Sequence, residues 1–195
     1  MLTDLRAALR PAIALTLGFA LLLGVAYPLA LTGIGQLAFP HQANGSLIVD
    51  HGKVVGSELV GQGFASDRYF HGRPSAAGSS GYDATASSGS NYGPTSKALV
   101  DRVKGDVAKL AAQSPGKTPP PDLATASASG LDPDISPEAA FFQADRVAKA
   151  RGLTVDRVRQ LIQSHVEEPT PSFLGDRHVN VLMLNRALDA EAPKA

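Results

Sequence analysis

The longest apolar stretch of the chain runs from Pro11 to Pro40 and contains no charged residue. Its inner part, residues 12–34, is long enough to cross a bilayer, because a hydrocarbon core of about 30 Å needs about 20 helical residues. A core helix of a soluble protein would normally show a polar face, and this stretch has none. Since lipid leaves no partner for unpaired backbone groups, the pattern predicts a transmembrane helix at residues 12–34.

Positive charge lies on the N-terminal side of this stretch. Arg6 and Arg10 precede it, whereas the next Lys or Arg is Lys53. By the positive-inside rule the N-terminus stays in the cytoplasm and the rest of the chain lies outside. We therefore predict a single-pass protein of the cell inner (plasma) membrane. Its predicted segments are a cytoplasmic N-terminus at residues 1–11, the transmembrane helix at 12–34 and an extracytoplasmic domain at 35–195.

A cleaved signal peptide is the alternative explanation for this stretch. Its apolar core would be only about 7–15 residues long, with a small-residue cleavage site close behind. Here the apolar stretch is longer, and Tyr27-Pro28 stands where such a site would lie. The sequence therefore favours an uncleaved anchor, with Pro28 predicted to kink the helix near its outer end.

Beyond residue 40 the pattern changes to short elements separated by long loops, which is typical of an α+β domain. The elements that we predict are a β-hairpin (47–49 and 53–55, turning at 50–52), a helix over about 95–113, a helix from the N-cap Ser136 to Gly152, a short helix capped by Thr154, and a last element at 180–188 that is helical unless 179–184 is a strand. Within 59–64 two glycines indicate a turn or a close backbone approach.

Two long loops rich in small residues, 78–94 and 122–137, occupy much of this domain. Composition alone would indicate disorder, but Tyr82 and Tyr92 recur within the first loop and predict that it is pinned onto a surface. Loops of this length in a compact domain are usually functional or disordered. A surface made of such loops is better suited to docking a partner than to catalysis.

Composition excludes several classes of function. The formal net charge is zero over 195 residues, which argues against nucleic-acid binding. The chain has no cysteine and so no disulfide or thiolate site, and its five histidines lack the spacing of a metal-ligand pair. We therefore predict no metal site, no catalytic residues and no tightly bound cofactor.

Several short motifs indicate specific chemistry only weakly. Gly116-Lys117-Thr118 lacks the upstream glycine and the helix of a phosphate-binding loop. The segment 59–62, Leu-Val-Gly-Gln, is faintly similar to the signature loop of ABC-type ATPases, which makes Gly61 and Gln62 nucleotide-binding candidates, although a structural turn is favoured. No serine has the two glycines of a nucleophile elbow.

Charged residues near the loops have two interpretations each. Arg68, His71 and Arg73 either bind an anion or pin the following loop, and the sequence favours local salt bridges with Asp67 and Asp83. Similarly, Asp132 and Asp134 either bind a cation or have a structural role. For Asp132 the sequence favours the second role, capping a turn through its own backbone.

Six motifs together resemble a known family: YPLALTGIGQLAFPHQANGSL (27–47), VGSELVGQGF (55–64), YFHGRPSA (69–76), GSNYGP (89–94), DLATASASGLDPDISPEAA (122–140) and VNVLMLNRALD (179–189). They are similar to the C subunit of the Kdp-type potassium-transporting ATPase of bacteria and follow its order. The chain departs from the family's pattern at Ala128, Asp134 and 176–178, where glycine, histidine and a Gln/Glu-Pro sequence are usual.

The resemblance implies a role without transport or ATP hydrolysis by the chain itself. It implies assembly with a channel-like potassium-binding subunit, a P-type ATPase subunit and a small single-span peptide. It also implies that the chain acts as a catalytic chaperone, which raises the ATP affinity of the ATPase subunit. ATP is the ligand that the resemblance suggests for the chain itself. Our own hypothesis places the domain on the outer face of the potassium-binding subunit. The predicted partner or ion-entrance surface comprises Arg73, Tyr82, Asn91, Asp132 and Asp134. A membrane-anchored periplasmic hydrolase is the alternative.

Overall fold

We describe the fold from a computed structural model, in which residues 2–191 are described. The chain forms two compact units, divided between Leu47 and Ile48. The first unit is built on an apolar N-terminal helix, and the second mixes helices and strands. The prediction of an α+β protein with one N-terminal apolar helix is confirmed.

The first unit is one long helix with a short helical extension. Helix α1 (Leu2–Leu21) continues through a π-helical segment (Leu22–Ala26) into α2 (Tyr27–Ala38), and α3 (Pro40–Ala43) follows. From Arg6 to Ala38 this helix is long and apolar enough to cross a membrane, and it is the one such helix among residues 2–191. The predicted segment 12–34 lies within it.

The structure places a π-helical turn directly before Pro28. There the Tyr27 N–H donates to the Leu22 carbonyl, five residues earlier. Proline has no N–H to donate, and its ring crowds the carbonyl four residues before it. A wider turn at this point relieves that crowding while the helix continues, so the proline is accommodated within the apolar stretch.

The predicted hairpin is formed by β1 (Leu47–Asp50) and β2 (Lys53–Ser57). His51 and Gly52 join the strands with φ angles of 46° and 76°. Two consecutive positive φ angles are what a type I′ hairpin turn requires, and glycine adopts them without steric cost. The hairpin prediction is therefore confirmed.

The core of this unit lies between three helices and a small antiparallel sheet. The helices are α5 (Pro137–Arg151), α6 (Val155–Ser164) and α7 (Val181–Glu191); the sheet has the order β3 (Asp134–Ile135), β5 (His178–Asn180), β4 (Val166–Glu167). Val179 of the central strand pairs with Ile135 on one side and Val166 on the other. The last predicted element is thus a short strand that runs directly into a helix.

The caps of α5 and α6 follow the sequence. The Ser136 hydroxyl accepts a hydrogen bond from the Ala139 N–H at 3.0 Å, and the Thr154 hydroxyl accepts one from the Arg157 N–H at 3.2 Å. Gly152 ends α5 at a φ of 68°. Each polar cap satisfies a backbone N–H that the first helical turn leaves unpaired.

Helix α4 (Lys97–Gln113) confirms the predicted helix, but it lies on the surface. No residue of this helix is buried, and Val107 of its apolar face is 38% exposed. A short 3₁₀ turn (Pro121–Leu123) follows it, and Leu123 belongs to the core.

Candidate functional site

The aromatic-basic segment 67–71 is held by two buried amide side chains. Asn185 of α7 accepts from the Phe70 N–H at 2.8 Å and donates to the Phe70 carbonyl at 2.9 Å. Gln143 of α5 accepts from the His71 N–H at 2.9 Å and donates to its carbonyl at 3.0 Å. Asn185 is 1% exposed and Phe70 is fully buried. In a strand, a neighbouring backbone would pair with these N–H and carbonyl groups. In this anchored segment (67–71), amide side chains take that role and fix the backbone.

Two arginines complete the attachment. Arg146 donates to the Asp67 carbonyl at 2.7 Å and to the Tyr69 carbonyl at 3.0 Å. Arg151 donates to the Arg68 carbonyl at 2.7 Å and pairs with Asp189 at 2.8 Å. Burial lowers the pKa of Arg146, and the nearby Asp67 charge opposes that shift. These guanidinium groups satisfy backbone carbonyls and so act in the fold.

Sequence reasoning missed the amides and arginines that hold the anchored segment. A usable signal was present at two positions. Gln143 lies on the same helix face as the apolar Val147, and Asn185 lies on the same face as the apolar Val181 and Leu188. A polar amide on an otherwise apolar helix face is buried only when its hydrogen bonds are satisfied, so it indicates a specific partner.

The first long loop, extended back to residue 72, is joined to most of the second in one surface, which we call the paired-loop surface (residues 72–94 and 124–134). Arg73 and Asp132 form a salt bridge at 2.9 Å. The Ser75 hydroxyl donates to the Gly130 carbonyl at 2.6 Å, and the Ser88 N–H donates to the Ser129 carbonyl at 2.9 Å. Hydrogen bonds between the loops therefore take the place of secondary structure.

Tyr82 holds the first loop in place, as the sequence predicts. Its hydroxyl donates to the Arg73 carbonyl at 2.5 Å, and its N–H donates to the Ser75 hydroxyl at 2.7 Å. Its hydroxyl oxygen lies so close to Gly72 that it would be 2.7 Å from a Cβ at that position. Burial raises the pKa of Tyr82.

Asn91 and Tyr92 lie on the outer part of this surface. Asn91 is exposed and has a φ of 51°, and Tyr92 is 46% exposed. Both are accessible to a partner.

Asp132 has two structural roles. One of its carboxylate oxygens accepts from the Asp134 N–H at 3.1 Å, which confirms the predicted turn cap. The other accepts from Arg73, so the prediction of local pairing with Asp67 or Asp83 is wrong for this arginine. Asp83 instead accepts from Thr85 at 2.9 Å. Because Asp132 is far from Arg73 in sequence, only the folded chain brings the pair together.

Asp134 lies beside the strand β5, opposite Asn180. Burial raises its pKa, and the nearby His178 charge works in the opposite direction. Its Oδ1 atom is buried and has no hydrogen-bond partner among the described residues. Among residues 2–191 no group of three His, Cys, Asp or Glu side chains is arranged to hold a metal ion.

The two nucleotide-binding candidates have different surroundings. Gly61 is buried, its N–H donates to the Leu131 carbonyl at 2.8 Å, and a Cβ there would be 2.5 Å from the Asp132 carbonyl oxygen. This is the close backbone approach that the glycines predict. Gln62 lies against Gly56 and lines a cleft of about 250 Å³ with Asp189. Their role toward a nucleotide stays a prediction.

Comparisons with known proteins identify the family. The family described as KdpC, K+-transporting ATPase, c chain, matches residues 9–190. The chain is 60% identical over 186 residues to the potassium-transporting ATPase KdpC subunit of Caulobacter vibrioides (strain NA1000 / CB15N), covering 95% of this chain and 94% of the relative. It is 55% identical over 193 residues to the protein of that name from Rhodopseudomonas palustris (strain BisB18), covering 93% and 97%. The chain therefore belongs to the KdpC family, the c chain of the K+-transporting ATPase.

Proposed function

We propose that the chain is a non-catalytic accessory subunit of an ATP-driven, high-affinity potassium uptake pump, in which it assembles and stabilises the complex. Its relatives are named as subunits of a potassium-transporting ATPase. The observation that carries the structural part of the proposal is the paired-loop surface, whose two loops are joined by the Arg73–Asp132 salt bridge and by hydrogen bonds.

A preformed loop surface favours binding. Ordering a flexible loop at an interface costs free energy, and a loop that is already fixed avoids most of that cost. Here contacts within the chain itself hold the loops, and the anchored segment leads directly into the first of them. Arg73, Asp132 and Tyr82 hold the loops in place, whereas Asn91 and Tyr92 are exposed to a partner.

The proposed partners are those of the pump. The apolar helix Arg6–Ala38 anchors the chain in the inner membrane beside the P-type ATPase subunit and the small single-span subunit. The paired-loop surface, with Asp134 at its edge, rests on the outer face of the channel-like potassium-binding subunit. In that position the carboxylates of Asp132 and Asp134 also shape the ion entrance.

The proposed effect on ATP is indirect. With the domain outside the membrane, Gly61 and Gln62 do not meet cytosolic ATP. The subunit then raises the ATP affinity of its partner by favouring one conformational state of the complex, since coupling between distant sites needs only a difference in affinity between states. Direct nucleotide binding would require the domain to lie in the cytoplasm.

Assembly tests the docking proposal. Arg73→Ala removes the salt bridge to Asp132 and the bonds to the carbonyls of Thr125 and Ala126. We expect a loss of most co-purification of the tagged chain with the potassium-binding subunit, because the two loops separate. Lys97→Ala is the control, since the Lys97–Asp101 pair is exposed (87% and 57%) and such pairs contribute little. Unchanged assembly and unchanged potassium affinity in Arg73→Ala would contradict the docking proposal.

Orientation is tested by thiol labelling, because the chain contains no cysteine. Gln163→Cys places a thiol on an exposed position of α6, and Thr3→Cys places one near the N-terminus. We expect a membrane-impermeant thiol reagent to label Gln163→Cys in intact cells and Thr3→Cys only after lysis. The reverse pattern would place the domain in the cytoplasm and make direct nucleotide binding the leading mechanism.

A further inference from the structure

Two large apolar side chains project from the loop between β4 and β5. Phe173 is 81% exposed and Leu174 is 69% exposed, the two highest values for large apolar residues in the described chain from Ile48 onward. Single exposed apolar residues are ordinary on protein surfaces. Two adjacent ones at a loop tip form a compact apolar knob (Phe173–Leu174) that the fold itself does not use.

The knob is presented by a defined turn. The Leu174 N–H donates to the Pro171 carbonyl at 3.0 Å, so Ser172 and Phe173 occupy the centre of a β-turn. Pro169 lies at the base of the loop, where a Cβ on Gly175 would be 3.3 Å from it. Both prolines restrict the backbone, so little ordering is needed before the knob binds an apolar environment.

One of the acidic side chains at the base of the loop has a charged partner. Glu168 forms a salt bridge with Arg177 at 3.0 Å, and Glu167 lies 3.7 Å from the His178 ring nitrogen. Asp176 adds one further negative charge. The Glu168–Arg177 pair reduces the repulsion that Glu168 would feel near an anionic lipid surface, so the apolar side chains of the knob carry the proposed contact.

We propose that the Phe173–Leu174 knob inserts into the boundary between lipid headgroups and acyl chains. Only residues 39–47 separate the apolar helix Arg6–Ala38 from Ile48, where the second unit begins. A membrane reached by the same chain is present at high effective concentration, so two apolar side chains suffice for binding that they could not support in a free protein. The proposal depends on the membrane anchor and not on the proposed pump function.

The chain contains no tryptophan, so Phe173→Trp provides a single fluorescent reporter at the knob. The full-length variant is reconstituted without other subunits in vesicles of phosphatidylcholine and phosphatidylglycerol, with and without brominated acyl chains. We expect emission at shorter wavelength than for an indole in water, and loss of intensity with the brominated lipids. Leu174→Ser in the same background weakens the quenching, because the knob then loses one of its two apolar side chains.

Tyr92→Trp is the matched control, because Tyr92 is an exposed aromatic residue on another loop of the same unit. We expect no quenching of that variant by brominated lipids. Water-like emission of Phe173→Trp without quenching would overturn the proposal. It would also be overturned if the emission of this variant shifted only after the other pump subunits were added, since the knob would then bind a protein. The assembly experiment with Arg73→Ala tests the proposed pump function alone, and its outcome does not bear on the Phe173–Leu174 knob.

Discussion

Replacing Asn185 by leucine is expected to destabilise the second unit strongly. The leucine side chain has a similar size but cannot pair with the Phe70 N–H and carbonyl, which Asn185 contacts at 2.8 and 2.9 Å. Leaving a buried backbone group unpaired costs about 1–3 kcal/mol, so we expect the unfolding free energy to fall by roughly 2–5 kcal/mol. A typical domain has a total stability of only about 5–15 kcal/mol, so this loss is large.

Urea unfolding of the full-length chain in detergent, followed by circular dichroism, measures this loss. Arg186→Ala is the control at the neighbouring position, because Arg186 is exposed. Surface substitutions of this kind usually change stability by less than about 0.5 kcal/mol. If Asn185→Leu and Arg186→Ala unfolded at the same urea concentration, the amide contacts would contribute nothing to stability.

The effect of Asn185→Leu should also reach the paired-loop surface. Phe70 and His71 directly precede the first loop, and their backbone is fixed by Asn185 and Gln143. When one amide is removed, the start of the loop loses its attachment to α7. If the chain docks as proposed, co-purification with the potassium-binding subunit should also fall, even where the variant remains folded.

Local signals in the sequence were sufficient to predict the hairpin, the helix caps and the apolar helix. His51-Gly52 specifies its turn, and Ser136 and Thr154 specify their caps, because each acts through its own or a nearby backbone group. These interactions depend on residues a few positions apart. Sequence pattern is informative at that range.

Contacts between distant residues could not be predicted in the same way. Arg73 and Asp132 are 59 residues apart, and the sequence offered Asp67 and Asp83 as nearer partners. Helix α4 has a regular apolar pattern, but pattern alone does not say how deeply a helix is buried. The first loop was correctly predicted to be pinned because Tyr82 is an aromatic residue among small ones. The glycines that allow the two loops to cross gave no separate signal.

Gly130→Ala is expected to separate the two loops. Gly130 has a φ of 68°, and a Cβ there would be 2.5 Å from the Ser88 carbonyl oxygen and 2.8 Å from the Ala77 nitrogen. The left-handed conformation costs an alanine free energy. Its Cβ would also collide with backbone atoms, which cannot rotate away as a side chain can. Together these effects are expected to lower the unfolding free energy by roughly 2–5 kcal/mol.

Gly152→Ala isolates the conformational part of this cost. Gly152 has the same φ of 68°, but no atom lies within 4 Å of a Cβ at that position. We therefore expect a loss of only about 1–2 kcal/mol, from the left-handed conformation alone. Equal losses in the two variants would mean that the crossing of the loops tolerates a methyl group and that their close approach is not needed for stability.

Chymotrypsin provides a local readout of the same prediction, because Tyr82 and Tyr92 are cleavage sites within the first loop. In the unchanged chain Tyr82 is held by hydrogen bonds to Arg73 and Ser75, and it should be cut slowly. Gly130→Ala should speed cleavage after Tyr82, whereas Gly152→Ala should leave that rate unchanged because Gly152 ends α5 and lies outside the paired-loop surface. Faster cleavage in both variants would indicate general destabilisation instead of separation of the loops. A selective increase in Gly130→Ala, together with weaker assembly of the pump, would connect the crossing of the loops to the binding of the partner.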